Sequence, residues 1–296
     1  LMLMFCGTFL AVGRLTRIMT LICWILVVSI HHRNPFVLNG GDILFRLLLF
    51  WSLWLPLGSV WSLDARKNRD STPQGPAPAS PIIFQLCVLY WFSALFKSHP
   101  IWRVDESAVD HIAHLGSYTF GWAEFLWDKP ELSRWLTRST LWLEEAGPAL
   151  LLVPFWRGPI RTLLVATFAG FHLIGIAGLM NIGLFPSICT VAWLAMLPTE
   201  FWNWLSPPSR VSTNQIFADQ TMPPIPVVGG NSIMAKCLLG PAMLLVLCNN
   251  IVSLNPAKLG WLMPRPLKVV TNALHLNQRW RLFANRPMTR DGWFIA

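Results

Sequence analysis

The stretch Pro81–Phe96, PIIFQLCVLYWFSALF, carries no charged side chain, and Gln85 is its only strongly polar one. As a helix rising about 1.5 Å per residue it covers about 24 Å, close to the hydrocarbon thickness of a bilayer. Lys97 follows at once, then His99-Pro100 and the amphipathic Trp102. A lysine there reads in two ways. It is an anchor that snorkels to the headgroups, or a base at the rim of an intramembrane cavity.

Similar apolar runs recur along the chain, which is 54% hydrophobic and only 12% charged. A soluble domain carries about 25% charged residues, so composition excludes that class. The expected fold is all-α: a polytopic transmembrane helix bundle of about seven full spans after a partial N-terminal one, with interfacial helices. The net charge of +9 comes from residues lying mostly between apolar runs. Such residues set topology and meet anionic lipid, so membrane lipids are expected partners and nucleic acid is not. Many of the 17 tryptophans, Trp91 and Trp102 among them, fall near expected helix ends, the aromatic-belt pattern. The six cysteines all lie inside apolar runs without CxxC spacing, which indicates neither a disulfide framework nor a zinc site.

In chain order, residues 1–13 read as the tail of a helix whose beginning precedes Leu1, and Ile18–Ile30 as the next run. Ile43–Val60 is expected as a span with Asp42 as its N-cap and Arg46 one turn inside, either snorkelling or paired with Asp42. Residues 66–80 form a Pro/Ala/Gly/Ser linker, and 98–138 a polar-aromatic segment of interfacial helices. Further spans are expected at Leu141–Phe155, Thr162–Met180, Ile182–Leu197 and Ile233–Leu254, with a tight basic turn at Arg157, Pro159 and Arg161. Residues 1–254 make the bundle, and 255–296 a basic amphipathic tail beyond it. The positive-inside tendency puts Arg14/Arg17, Arg66/Lys67/Arg69 and Arg157/Arg161 in the cytoplasm and Lys97 outside it.

Ionisable groups inside spans are functional candidates. Glu144 and Glu145 are adjacent, so on a helix they point about 100° apart; one can face the bundle and pair with Lys97. His172 is the most interior, with Gly170, Gly175 and Gly178 around it to allow close helix approach. It makes an interhelical hydrogen bond, handles protons, contacts a quinone or ligates a tetrapyrrole. His111 and His114 have i, i+3 spacing, but no further ligand is placed to complete a metal site, and none is expected.

Five ordered segments carry a family resemblance. HRNPFVLNGGDILFRLLLFWSLWLPLGSVWSLDA (32–65), YWFSALFKSHPIW (90–102), LWLEEAGPALLLVP (141–154), FHLIGIAGLMNIGLFP (171–186) and QRWRLFANRPMTRDGWF (278–294) resemble motifs of the HTTM family. These are bacterial membrane proteins related to vitamin K-dependent gamma-carboxylase. The resemblance implies a bacterial inner-membrane protein with an additional N-terminal helix. Lys97 corresponds to the base coupled to vitamin K hydroquinone oxygenation, and His172 and Glu144 to the histidine and acidic residue of the later helices. Trp91, Trp102 and His172 are the expected cofactor-binding residues. The carboxylase's Asn-His motif is replaced here by Arg33-Asn34-Pro35, and no propeptide-binding domain follows the last motif.

Three functions follow as expectations. The first is chemistry on a quinone-type lipid, such as reduced vitamin K or another quinol, with Lys97 as base. The second is a non-catalytic subunit or assembly factor of a larger respiratory or photosynthetic membrane complex. The third is a transporter, for which no inverted repeat or pair of broken helices is present.

Overall fold

Asn39 opens the first long interior helix. Its side chain accepts from the Gly41 and Asp42 amides while the Asp42 carboxylate accepts from the Asn39 amide, a complete capping box. Asn39 is therefore the N-cap, and Asp42, expected in that role, is its reciprocal partner. The computed structural model describes residues 1–59, 62–67, 80–205 and 233–284. Among these the chain is helical, with one isolated antiparallel bridge between Thr119 and Met180.

The helices are α1 (Met2–Ala11), α2 (Thr16–Arg33), α3 (Gly40–Ser52), α4 (Leu63–Lys67), α5 (Ser80–Phe96), α6 (Pro100–Arg103), α7 (Ala108–Ala113) and α8 (Pro130–Leu151). Then come α9 (Arg157–Gly170), a π-helical turn (Phe171–Ile176), α10 (Ala177–Leu179), α11 (Phe185–Leu194), α12 (Thr199–Leu205), α13 (Ile233–Leu254), α14 (Pro256–Leu259) and α15 (Arg265–Ala273).

Contacts at the two ends show that the long helices alternate in direction. At one end the α1–α2 turn is clasped by Asp64, which accepts from the Leu15 and Thr16 amides. At the other, Arg281 stacks on Phe96 at the end of α5 and donates to Ser253 O near the end of α13. The end of α10 meets the chain before Gly121 through Phe120 N to Leu179 O and Asn181 N to Tyr118 O. Thus α5, α9–α10 and α13 finish at the Lys97 end, while α3 and α11 start there, Gly41 lying against Phe185.

One aromatic stack ties five elements together. Gly147 of α8 leaves room for Phe168 of α9; a Cβ on it would stand 2.5 Å from that ring. Phe168 stacks on Trp193 of α11 with centroids 3.9 Å apart, and both touch Tyr90 of α5, which in turn touches His172. The close approach expected from Gly170, Gly175 and Gly178 lies at Gly147 and Gly41 instead. Nothing stands within 4 Å of where a Cβ on Gly170 would sit, and Gly175 meets only Phe171 at 3.8 Å.

Several expected boundaries move. The run Ile43–Val60 is helical only to Ser52, because Pro56 lacks the N–H to continue a helix and the chain turns from Leu53. Residues 130–151 form one helix, not an interfacial helix followed by a separate span. Its interior Pro148 does not break it, although the polar first half hides its continuity. Arg157, Pro159 and Arg161 occupy the first turns of α9 and not a loop. Arg46 is buried and donates from Nη2 to Asn277 O, with no ion pair to Asp42.

Part of the tail expected beyond the bundle joins the core. Leu276, Gln278, Trp280 and Ala284 are buried, and Gln278 accepts from both Gln85 Nε2 and Trp280 Nε1. Gln85 meanwhile accepts from the Trp51 indole, so the one polar residue of the opening stretch joins α3, α5 and the tail. Most of the 66–80 linker, the Pro198–Asn231 connection after Leu205 and the end of the last motif lie outside the described residues.

Among the described residues, two helical segments are long and apolar enough to cross a membrane, Arg157–Leu179 and Cys237–Leu254. Met2–Ala11, Ser80–Phe96 and Phe185–Leu194 are apolar but shorter.

Candidate functional site

Spacing of three and four residues puts Tyr90, Ser93 and Lys97 on one face of α5. That face packs on α8, where Glu144 turns inward and Glu145 outward, as adjacent helical residues must. Lys97 Nζ donates to Glu144 Oε1 and Oε2, each at 2.8 Å, and to Ser93 Oγ at 2.6 Å. Ser93 Oγ also lies 3.1 Å from Glu144 Oε1, to which it donates. The three ammonium protons are thereby all used. The side chains of Lys97 and Glu144 are only 4% and 7% exposed, so each charge depends on the other.

Two further residues hold this pair. Trp102 places its ring 5.1 Å from Lys97 Nζ and fixes itself by donating from Nε1 to Phe283 O. Arg103 donates to Lys97 O and Ala94 O, capping the end of α5, and to Glu145 Oε1 at 2.8 Å. The cap and the ion pair together pin the Lys97 end of α5 to α8 beside Glu144.

His172 sits in the π-helical turn, a local widening that recurs at functional sites. Its Nε2 lies 2.6 Å from Tyr90 Oη, which accepts from Trp193 Nε1 at 2.8 Å. An indole N–H only donates, so Tyr90 Oη accepts from Trp193; we assign its own proton to His172 Nε2, a better acceptor than the neighbouring Cys189 thiol, which puts the imidazole proton on Nδ1. Nδ1 is buried and has no hydrogen-bond partner.

Both polar groups line one cavity of about 200 Å³. Its polar members include Ser93, Lys97, Glu144, Tyr90 and His172, and the remainder is predominantly apolar, with Leu89, Leu143, Ile176 and Phe185 among its members. Gly175 lines it too, leaving room where another residue would intrude. Lys97, Glu144, His172 and Trp102 therefore meet at one cavity. Trp91 does not; its indole donates to Glu145 O on the outer side of α8.

No group of three or more His, Cys, Asp or Glu residues able to hold a metal occurs among the described residues. His114 stacks on Trp127. A tetrapyrrole fits poorly at His172, because the Nε2 that would ligate it is held by Tyr90 and the cavity is small for a macrocycle.

Sequence reasoning missed Ser93, Tyr90, Trp193 and Arg103. Ser93 and Tyr90 were within reach of it, at i−4 and i−7 from Lys97 on the same helical face. Trp193 lies 103 residues from its partner, and no local pattern reports that contact. Compared with protein-family models, curated proteins and solved structures, the chain matches none of them.

Proposed function

We propose that this chain is a polytopic integral membrane protein of the gamma-carboxylase-like type whose cavity takes the ring of a quinol-type lipid. The observation that carries the reading is the cavity itself, a largely apolar space lined by a buried Lys97–Glu144 pair and by His172 with an unpartnered Nδ1. An apolar cavity of about 150 Å³ accepts a benzene ring, so this one has room for a ring head group while the tail leaves toward lipid. The polar groups of the lining suit a quinol's hydroxyls, and the apolar remainder suits its ring.

Membrane embedding is supported by how little of the two long apolar helices the protein covers. Only 22% of the most apolar window of Arg157–Leu179 and 33% of that of Cys237–Leu254 are buried, whereas the core helix of a soluble protein is mostly buried. Alternating helix directions and outward-facing Ile18, Leu21, Ile25, Leu163 and Ile174 agree with a bundle in lipid. The inner membrane of a bacterium, with Lys97 at the extracytoplasmic end, is the placement that the short connections at Arg14/Arg17, Arg66/Lys67/Arg69 and Arg157/Arg161 favour.

In this reading the ion pair acts as a unit. A quinol hydroxyl gives its proton to the pair, which becomes an ammonium beside a neutral carboxyl, and the quinolate formed is held by the Lys97 charge. Ser93 bridges the two partners and stays bonded in either form. Oxygen is the co-substrate that the family resemblance supplies. The test is oxygen-dependent conversion of a reduced naphthoquinol to its epoxide by purified, reconstituted protein. The expected result is conversion that is lost in Lys97→Met/Glu144→Gln; no conversion, or conversion indifferent to that change, overturns it.

One observation favours a second reading. The saturated Lys97 ammonium already has three acceptors, as a purely structural clasp would, which suits a non-catalytic subunit of a larger membrane complex. Absence of conversion together with stable association with a partner complex supports that alternative.

A further inference from the structure

The C-terminal ends of both long apolar helices emerge at the Lys97 end of the bundle, and α13 runs almost directly into α14 and α15. On α15, Arg265, Lys268 and Asn272 share one arc, and Leu267, Val270 and Leu274 the opposite one; Val269 falls beside Arg265. Of this helix only Thr271 is buried. On the apolar arc Leu267 is 38% and Val270 43% exposed while Leu274 packs against the core, and the nearby Trp261 is 74% exposed, so part of that arc is uncovered by the rest of the described chain. From Asn255 to Ala284 the charge is of one sign: Lys258, Arg265, Lys268, Arg279 and Arg281, without a single Asp or Glu.

We propose that α14 and α15 form an interfacial anchor for an anionic lipid surface. Leu267, Val270 and Trp261 enter the acyl boundary, and Lys258, Arg265 and Lys268 meet lipid phosphates. The proposal rests on the reading of the bundle as membrane-embedded. Lipid is the occupant rather than a second copy or a partner protein for two reasons. The segment starts one residue after a helix long enough to cross the membrane, which holds it at headgroup depth. An unbroken positive charge beside an exposed tryptophan also complements an anionic bilayer surface. Each basic residue near such a surface favours binding about fivefold, so the three together contribute roughly a hundredfold preference for anionic over neutral lipid.

Hydrogen exchange along the full chain in lipid nanodiscs tests this, one copy per disc, with phosphatidylcholine alone or with phosphatidylglycerol added. The expected result is slower exchange across 265–273 when phosphatidylglycerol is present, with α5 unchanged. That slowing disappears in Lys258→Gln/Arg265→Gln/Lys268→Gln. Exchange that ignores lipid charge, or protection that appears only with two copies per disc, overturns the anchor and leaves the membrane reading standing. Protein that stays monodisperse without detergent and does not enter discs overturns both.

Discussion

Lys97 Nζ lies 2.8 Å from both carboxylate oxygens of Glu144, and the two residues come from different helices 47 positions apart. Desolvating two such charges is costly, and their attraction offsets that cost only while both are present. Lys97→Met alone therefore destabilises the protein by about 3–5 kcal/mol, whereas Lys97→Met/Glu144→Gln recovers most of the loss. Thermal unfolding of the single and double variants in one detergent measures this. A double variant no more stable than the single one would show that the pair does not hold α5 to α8.

Two glycines on facing helices should respond oppositely to the same change. Gly147→Ala places a methyl group 2.5 Å from the buried Phe168 ring and costs about 1–3 kcal/mol. Gly175→Ala meets only Phe171 at 3.8 Å and gains about 0.5–1 kcal/mol from reduced backbone freedom in the unfolded chain. Melting temperatures of the two variants settle the signs.

Tyr90→Phe removes the hydroxyl between His172 and Trp193. Two buried groups lose their partner, at about 1–3 kcal/mol for each left unsatisfied. In the native protein, ¹⁵N resonances of His172 should report a protonated Nδ1 and an unprotonated Nε2. The opposite tautomer contradicts the assigned direction of the Tyr90 hydrogen bond.

At the other end of the bundle, the amides of Thr16 and then Leu15 hold the Asp64 carboxyl below its ordinary value. A depressed carboxylate stabilises above its unfolded value, about 3.9, and that contribution is lost as pH falls through the lower folded value. The α1–α2 turn should therefore stay protected at neutral pH and loosen only in acid below about pH 4. Asp64→Asn should loosen it at neutral pH as well. Exchange rates of the Leu15 and Thr16 amides provide the readout, and an acid-insensitive turn would count against the clasp.

Local pattern made much of this legible. An uncharged run ending in lysine located α5, and adjacent glutamates on a helix implied that one would reach Lys97. The helix Ile233–Leu254 was delimited by its polar neighbours. Interhelical bonding by His172 was among the readings its depth allowed, but Tyr90 as the partner follows only from the fold. Residues 130–151 were divided because charge crowds the first half, and hydropathy does not register that a continuous α-helical backbone ignores that change. The tail's role did leave a trace: Leu276, Gln278 and Trp280 are buried while Asn277 and Arg279 are exposed, the period-two alternation of an extended segment. Its short length beside a basic amphipathic helix concealed it.

The central claim is that the space between Lys97 and His172 holds a quinol-type ring. Crosslinking of a photoreactive quinone to the reconstituted protein, mapped by mass spectrometry, tests this most directly, with Gly175→Leu as the variant that fills the cavity. The account predicts labels on Leu89–Ser93 of α5 and on Phe171–Ile176, competed by unlabelled quinone and abolished by Gly175→Leu while the protein stays folded. Labels spread over the outer helix faces and unchanged by that substitution would contradict it.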